Sequence, residues 1–164
     1  MGHTVLSPPN SDLALVLTNS SPVDFTVNCC SSGEIFFRTD EECAVFKNRY
    51  LEILSWLPVD RANLYAISEH TRKSFRLVSG EKLTLWNANS SSMILDVNLY
   101  VSHPIYMDVG GRRLTSCCFL IATMDMIYSG SSITYKLTGG VLDFYIFAGP
   151  SPVEILDQYM ELIG

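Results

Sequence analysis

GGVLDFYIFAGPSPVE, residues 139–154, joins the two elements that decide the fold class. Two glycines open the stretch, and the eight residues 141–148 that follow are apolar on both faces apart from Asp143. A short apolar and aromatic run bounded by glycine predicts a buried strand. Because neither face of this strand is polar, we expect it to be central in its sheet, with both sides covered.

The residues after this strand predict a C-terminal helix over 151–163. Ser151 and Glu154 have the spacing of a capping box, and Pro152 stands at the first helical position. Gly164 stands where a glycine commonly ends a helix. Five apolar residues recur at helical spacing on one face: Val153, Leu156, Tyr159, Met160 and Ile163. We expect the helix to pack by this face.

Upstream of these elements, the chain alternates short apolar segments with turn residues. The alternating segment 25–28 and the apolar segment 34–38 are separated by Ser31-Ser32-Gly33, which predicts a hairpin. Further strands are predicted at 13–18, 50–57, 63–68, 74–77, 81–86, 97–101, 105–109, 117–122, 126–128 and 133–137. Many short strands with regular turns are typical of an all-β sandwich. The sequence thus predicts one domain over 1–164, with a disordered tail at 1–11.

The composition argues against several classes of partner. The chain has 164 residues, of which 48% are hydrophobic and 17% charged, and its net charge is −6. An acidic chain whose basic pairs are isolated repels phosphate, so we expect no nucleic-acid partner. No apolar run approaches the length of a membrane span, and no signal-peptide pattern opens the chain. We therefore expect no membrane association, and the sequence leaves the localisation unknown.

The five cysteines do not form a metal-binding pattern. Two pairs, Cys29-Cys30 and Cys117-Cys118, are adjacent in sequence, and neighbouring side chains on a strand point to opposite faces. No C-x-x-C spacing occurs, and the three histidines are far apart. We therefore expect buried, unpaired thiols, and neither a metal nor another cofactor.

The stretch 139–152, with Gln158-Tyr159 and residues 162–164, resembles the segment that joins the N-terminal sandwich of family 31 glycoside hydrolases to their (β/α)8 barrel. Other stretches are similar, in chain order, to the plant α-glucosidase form of this family: DRANLY (60–65), SEHTRKSF (68–75), LTLWN (83–87), DVNLY (96–100) and SHP (102–104). The likeness implies a mutarotase-like β-sandwich over 1–164. It also implies an incomplete one, because the chain begins part-way into the family's N-terminal domain. A sandwich that lacks strands has open edges and an uncovered core face.

The resemblance also implies a family whose members cleave terminal α-glucosides with retention. Retention requires two carboxyl groups about 5 Å apart, and in this family both lie in the barrel. The chain stops at Gly164, where the barrel would begin, so we expect no catalytic residue in it and no hydrolysis by the chain alone. Its expected role is that of an accessory domain, which packs on a (β/α)8 barrel and rims the active site. Full-length relatives are expected to be secreted, apoplastic or vacuolar.

Two residues are candidates for contact with a sugar. In the family, a loop after a Trp-Asn pair reaches the rim of the active site, and an aspartate two residues after the Asn hydrogen-bonds the sugar. Here the pair is Trp86-Asn87, and the corresponding position is Asn89, whose amide keeps an acceptor but loses the charge. Trp86 either stacks on a sugar ring or belongs to the core. The ligand would be an α-glucoside or a maltose-type sugar, and a stand-alone carbohydrate-binding module is the alternative function.

Overall fold

The computed structural model describes residues 3–7, 12–18, 24–33, 35–39, 44–57, 63–65, 70–87, 103–109, 114–119, 124–139 and 144–164. These residues contain thirteen strands and one helix. The strands are β1 (His3–Leu6), β2 (Leu13–Thr18), β3 (Phe25–Cys29), β4 (Ile35–Thr39), β5 (Ala44–Lys47), β6 (Tyr50–Trp56), β7 (Leu64–Tyr65), β8 (Lys82–Leu85), β9 (Ile105–Asp108), β10 (Leu114–Phe119), β11 (Met124–Tyr128), β12 (Ser132–Thr138) and β13 (Phe144–Gly149). The helix is α1 (Pro152–Ile163).

The described strands form two antiparallel sheets. Sheet A has nine strands, eight of them in the order β1-β2-β3-β4-β6-β12-β11-β8, and β5 pairs with β6 off this path. Sheet B has four strands in the order β13-β10-β9-β7. Buried residues of both sheets form one hydrophobic core between them. This architecture confirms the predicted all-β sandwich with a C-terminal helix.

A cluster of aromatic side chains joins the two sheets. Phe144 of sheet B packs against Phe37 and Phe25 of sheet A, with ring centroids 5.2 and 6.0 Å apart. Phe25 and Phe37 stack on each other at 5.5 Å. Deeper in the core, the hydroxyl of the fully buried Tyr135 donates a hydrogen bond to the hydroxyl of Tyr106 at 3.3 Å. Such aromatic pairs stabilise a core by about 0.5–1.5 kcal/mol beyond the burial of their area.

The position of β13 differs from the expectation of a central strand. In the described part of sheet B it is the last strand, next to β10. Both of its faces are nevertheless covered, because Phe144 faces sheet A while Phe147 contacts Tyr159 of α1 at 6.3 Å. At Gly149 the helix comes so close that an added Cβ would lie 3.0 Å from Ile155 Cγ1. A covering helix, and not a central position, explains the two apolar faces.

The predicted hairpin and helix ends are confirmed. Strands β3 and β4 pair in an antiparallel hairpin, in which Gly33 has a φ of +69° and donates a hydrogen bond to the carbonyl of Cys29 at 2.8 Å. The Ser151 hydroxyl accepts from the Glu154 N–H at 3.4 Å and donates to the Glu154 carboxylate at 2.7 Å. Gly164, with a φ of +91°, closes the helix by donating to the Met160 carbonyl at 3.0 Å.

Some predicted segments differ from the structure. Residues 3–6, assigned to a disordered tail, form β1 and pair with β2. The expected strand at 74–77 is reduced to a single bridge between Arg76 and Tyr65. Strand β5 was not predicted, because its four residues follow an acidic loop and show no clear alternation. The predicted strand at 97–101 lies outside the described residues.

Removal of the Phe37 ring is expected to destabilise the fold strongly. Phe37 is 2% exposed and contacts aromatic rings of both sheets, so Phe37→Ala leaves a cavity between them. We expect a loss of about 3–5 kcal/mol in the free energy of unfolding. Phe75, which is 79% exposed, is the matched control, and Phe75→Ala should change stability by about 0.5 kcal/mol or less. Urea denaturation measures both, and equal midpoints would contradict this core assignment.

Candidate functional site

Trp86 lies just after β8, at one end of sheet A. Along β8, buried leucines alternate with the exposed Lys82 and Thr84, and this alternation places Trp86 with them on the outer face of the sheet. The side chain of Trp86 is 54% exposed. The interpretation of Trp86 as a core residue is therefore wrong, and contact with a sugar stays a prediction. Asn89 lies outside the described residues.

A ladder of polar side chains crosses the same outer face. Four of them, one each from β8, β11, β12 and β6, stand side by side in register: Thr84, Asp125, Lys136 and Glu52. The Asp125 carboxylate lies 2.7 Å from Lys82 Nζ and accepts a hydrogen bond from the Thr84 hydroxyl at 2.6 Å. The Glu52 carboxylate lies 3.2 Å from Lys136 Nζ. Opposite charges on neighbouring strands stabilise this register of the sheet.

The ladder keeps its two carboxyl groups ionised. The pKa of Glu52 is lowered, chiefly by a hydrogen bond from the Tyr50 hydroxyl at 2.5 Å and then by Lys136, while partial burial opposes the shift. For Asp125, burial raises the pKa, but hydrogen bonds from Lys82 and Thr84 outweigh it, so the pKa is also lowered. A glycosidase general acid needs the opposite, a raised pKa. These groups therefore serve the fold and are not candidates for the acid.

A polar cleft of about 310 Å³ lies beside β8, in the segment that matches the SEHTRKSF stretch. Three of its charged residues are engaged with one another or with a neighbour: Arg72 forms an ion pair with Glu81, and Arg76 donates to Asn63 Oδ1 at 2.5 Å. Burial raises the pKa of Glu81, but hydrogen bonds from Arg72 and from the backbone N–H of Val78 outweigh it and lower the pKa. The cleft is thus held together by internal pairs.

The apolar face of α1 is exposed, contrary to the prediction that the helix packs by it. The helix is held instead by Ile155, which is 1% exposed, by Tyr159 and by Gln158, whose Nε2 donates to the carbonyl of Ala148 at 3.1 Å. The remaining residues of the predicted face have at least half of their side chains exposed, and we call them the α1 stripe: Val153, Leu156, Met160 and Ile163. Sequence periodicity located the stripe but could not show that it faces water.

The described residues hold no group of three or more His, Cys, Asp or Glu side chains placed to bind a metal ion. In the same part of the chain, no helix is long and apolar enough to cross a membrane. The structure describes the side chains of two cysteines, and neither forms a disulfide. Cys29 is buried as expected, but Cys30 is exposed, so the expectation of a buried thiol is wrong for Cys30. The sulfur of Cys29 lies 3.3 Å from Asp12 Oδ2 and 3.2 Å from Ser31 Oγ.

Comparison with known proteins finds similar sequences and a similar solved structure. An α-glucosidase of Hordeum vulgare is 49% identical over 162 residues, which cover 98% of this chain and 18% of that protein. An α-xylosidase of Arabidopsis thaliana is 41% identical over 167 residues, with 98% and 18% covered. A solved GH31 dextranase of Flavobacterium johnsoniae shares the fold, with a TM-score of 0.69 at 16% identity over 97% of this chain and 20% of that one. No protein-family profile matches the chain. The chain spans about a fifth of the length of these relatives.

The lowered pKa values of Glu52 and Asp125 predict the pH dependence of stability. Carboxyls with a lowered folded-state pKa stabilise the fold above their unfolded pKa of about 4, and this contribution is lost as the pH falls through the folded-state pKa. Removal of the charge in Lys136→Met should therefore cost up to about 1 kcal/mol at pH 7 and less at pH 3.

Urea denaturation at the two pH values measures this difference. The exposed Lys47, on β5, is the matched control, and Lys47→Met should leave the stability unchanged at both pH values. A cost of Lys136→Met that is equal at pH 7 and pH 3 would show that the ion pairs of the ladder do not stabilise the sheet.

Proposed function

We propose that this chain, a counterpart of the N-terminal domains of glycoside hydrolase family 31, is an accessory domain that packs on the (β/α)8 catalytic barrel of an α-glucosidase-type enzyme. It matches the N-terminal portion of its curated relatives, and about four fifths of the length of those proteins lies outside the match. That remaining part includes a catalytic domain.

The α1 stripe is the observation that carries this proposal. Four large apolar side chains lie in line on one helix face and are open to water. An exposed apolar surface of this kind marks an interaction site. An adjacent side of α1 already packs on β13 through Ile155 and Tyr159, so the stripe is free to contact a second body. The resemblance assigns this helix to the junction with the barrel, and the barrel is thus the partner that the stripe would meet.

In this arrangement the chemistry belongs to the barrel. Three of the described acids, Glu52, Glu81 and Asp125, have lowered pKa values and lie beside lysine or arginine. A pair of acids that hydrolyses a glycoside requires one carboxyl with a raised pKa and a second about 5 Å away. None of these three acids has the raised pKa that such a pair requires, in line with an accessory role.

Trp86 is the residue we propose for contact with an α-glucoside or a maltose-type sugar, together with Asn89. Its indole is more than half exposed on a polar face, where a flat aromatic surface can stack on a sugar ring. Trp86 and the α1 stripe lie on the outer faces of different sheets, so sugar contact and barrel docking use different surfaces. The two proposals are therefore tested separately. No observation favours the alternative of a stand-alone carbohydrate-binding module.

If the α1 stripe docks on the barrel, a substitution in the stripe should lower the stability of the assembled enzyme but not that of the isolated chain. The test compares the isolated chain with a chimera in which this chain replaces the matched segment of the Hordeum vulgare α-glucosidase. Leu156→Asp should change the stability of the isolated chain by about 0.5 kcal/mol or less, because Leu156 is half exposed there. In the chimera it should lower the thermal midpoint by several degrees, since a charge is buried at the interface.

Val45 on β5 is equally exposed and serves as the matched control. Val45→Asp adds a charge opposite Glu52, and its small cost should be the same in both proteins. Thermal unfolding provides the readout, and hydrolysis of a chromogenic α-glucoside confirms that the chimera is assembled. If Leu156→Asp leaves the active chimera as stable as its parent, the stripe is not the docking surface.

Contact between Trp86 and a sugar predicts an effect on substrate binding. In the chimera, Trp86→Ala should raise the KM for maltose about 2- to 12-fold, the loss that corresponds to about 0.5–1.5 kcal/mol of aromatic contact. Trp56, which is 43% exposed at the end of β6, is the matched control, and Trp56→Ala should leave the KM unchanged. Steady-state kinetics measures both KM values. Equal KM values for the two variants would show that Trp86 does not contact the sugar.

A further inference from the structure

An open groove of about 870 Å³ lies between sheet A and β13, at the opposite end of sheet A from Trp86. Ten described residues line it, from β1, β2, β3, β13 and the residue after β1, and Ser7 is the one polar residue among these ten. Leu13, Leu15 and Leu17 of β2 contribute to its wall. The described lining of the groove is therefore apolar and uncharged, in a chain of net charge −6.

The groove exists because the described part of sheet B is narrower than sheet A. Its last strand, β13, lies over β3 and β4, where Phe144 contacts Phe25 and Phe37. Sheet A continues past β3 to β2 and β1. Leu13 and Leu15 pack against the core on one side and line the groove on the other. The inner face of β1 and β2 is thus core surface that no described strand covers.

The chemistry of the lining restricts the occupant. A sugar or an anion needs hydrogen-bond donors or charges, and among the lining side chains that the structure describes only Ser7 provides one. The leucines of β2 stand at every second residue, as do Phe144 and Ile146 of β13, which is the spacing of an extended strand. A segment that alternates in the same way would fill the groove and continue the core.

We propose that an extended, uncharged segment from the remaining part of a family 31 enzyme, with apolar side chains at alternate positions, fills this groove. Two observations favour this occupant over a second copy of the chain. About four fifths of the length of the relatives lies outside the match, so such polypeptide is available. Two copies, each of net charge −6, repel each other. The inference rests on the proposed function but concerns a different surface from the α1 stripe.

Cysteine labelling tests the groove and the stripe independently. Leu15→Cys places a thiol in the groove, and Leu156→Cys places one in the stripe, each in the isolated chain and in the chimera with the Hordeum vulgare enzyme. N-ethylmaleimide is the probe, and peptide masses separate the new thiol from the five native cysteines. We expect Leu15→Cys to react at least about tenfold more slowly in the chimera, because covering polypeptide protects it. Val45→Cys, at an exposed control position, should react at the same rate in the isolated chain and in the chimera.

The outcomes of this experiment distinguish failure of the groove proposal from failure of the proposed function. If Leu15→Cys reacts equally in both proteins while Leu156→Cys is protected in the chimera, the groove proposal fails and the accessory role stands. If both thiols react equally in both proteins, the docking proposal fails as well. Protection of Leu15→Cys in the isolated chain that grows with concentration would assign the groove to a second copy. Val5→Cys, at the exposed rim, repeats the test if Leu15→Cys does not fold.

Discussion

The contact of Phe144 with Phe25 and Phe37 is the interaction on which the rest of the structure depends. It fixes β13 against sheet A and thereby sets the spacing of the two sheets. Because side chains alternate along a strand, the same placement turns Phe147 outwards, where Tyr159 of α1 packs on it. One aromatic cluster thus determines where the core ends, where the helix lies and which part of sheet A is left uncovered.

The sequence predicted the elements whose signals are local. The hairpin of β3 and β4 follows from a turn that needs a positive φ at Gly33, and the helix from Ser151, Glu154 and Gly164 at its ends. Each of these signals acts within a few residues, so no knowledge of the partner sheet is required. The short strands with regular turns predicted the sandwich, the resemblance added its mutarotase-like form, and the shared fold of a solved relative agrees with the sandwich.

The faces of these elements could not be predicted, because they depend on what lies opposite. An apolar strand is the same in sequence whether a second sheet or a helix covers it, and β13 is covered by α1. The helix carries apolar residues on more than one side, and its contact with β13 selects Ile155 and leaves the α1 stripe open. The exposure of Trp86 likewise follows from alternation along β8, and Asn89 lies outside the described residues.

Gly149 makes the orientation of α1 sensitive to a single atom. An added Cβ would lie 3.0 Å from Ile155 Cγ1 and 3.3 Å from the Ser151 carbonyl oxygen, so a larger residue would require Ile155 or the first turn of the helix to shift by a few tenths of an ångström. The helix acts as a rigid arm about 18 Å long, and a tilt of about 10° at its base swings its tip by about 3 Å. Glycine at this position therefore helps to maintain the orientation of the whole helix relative to sheet B.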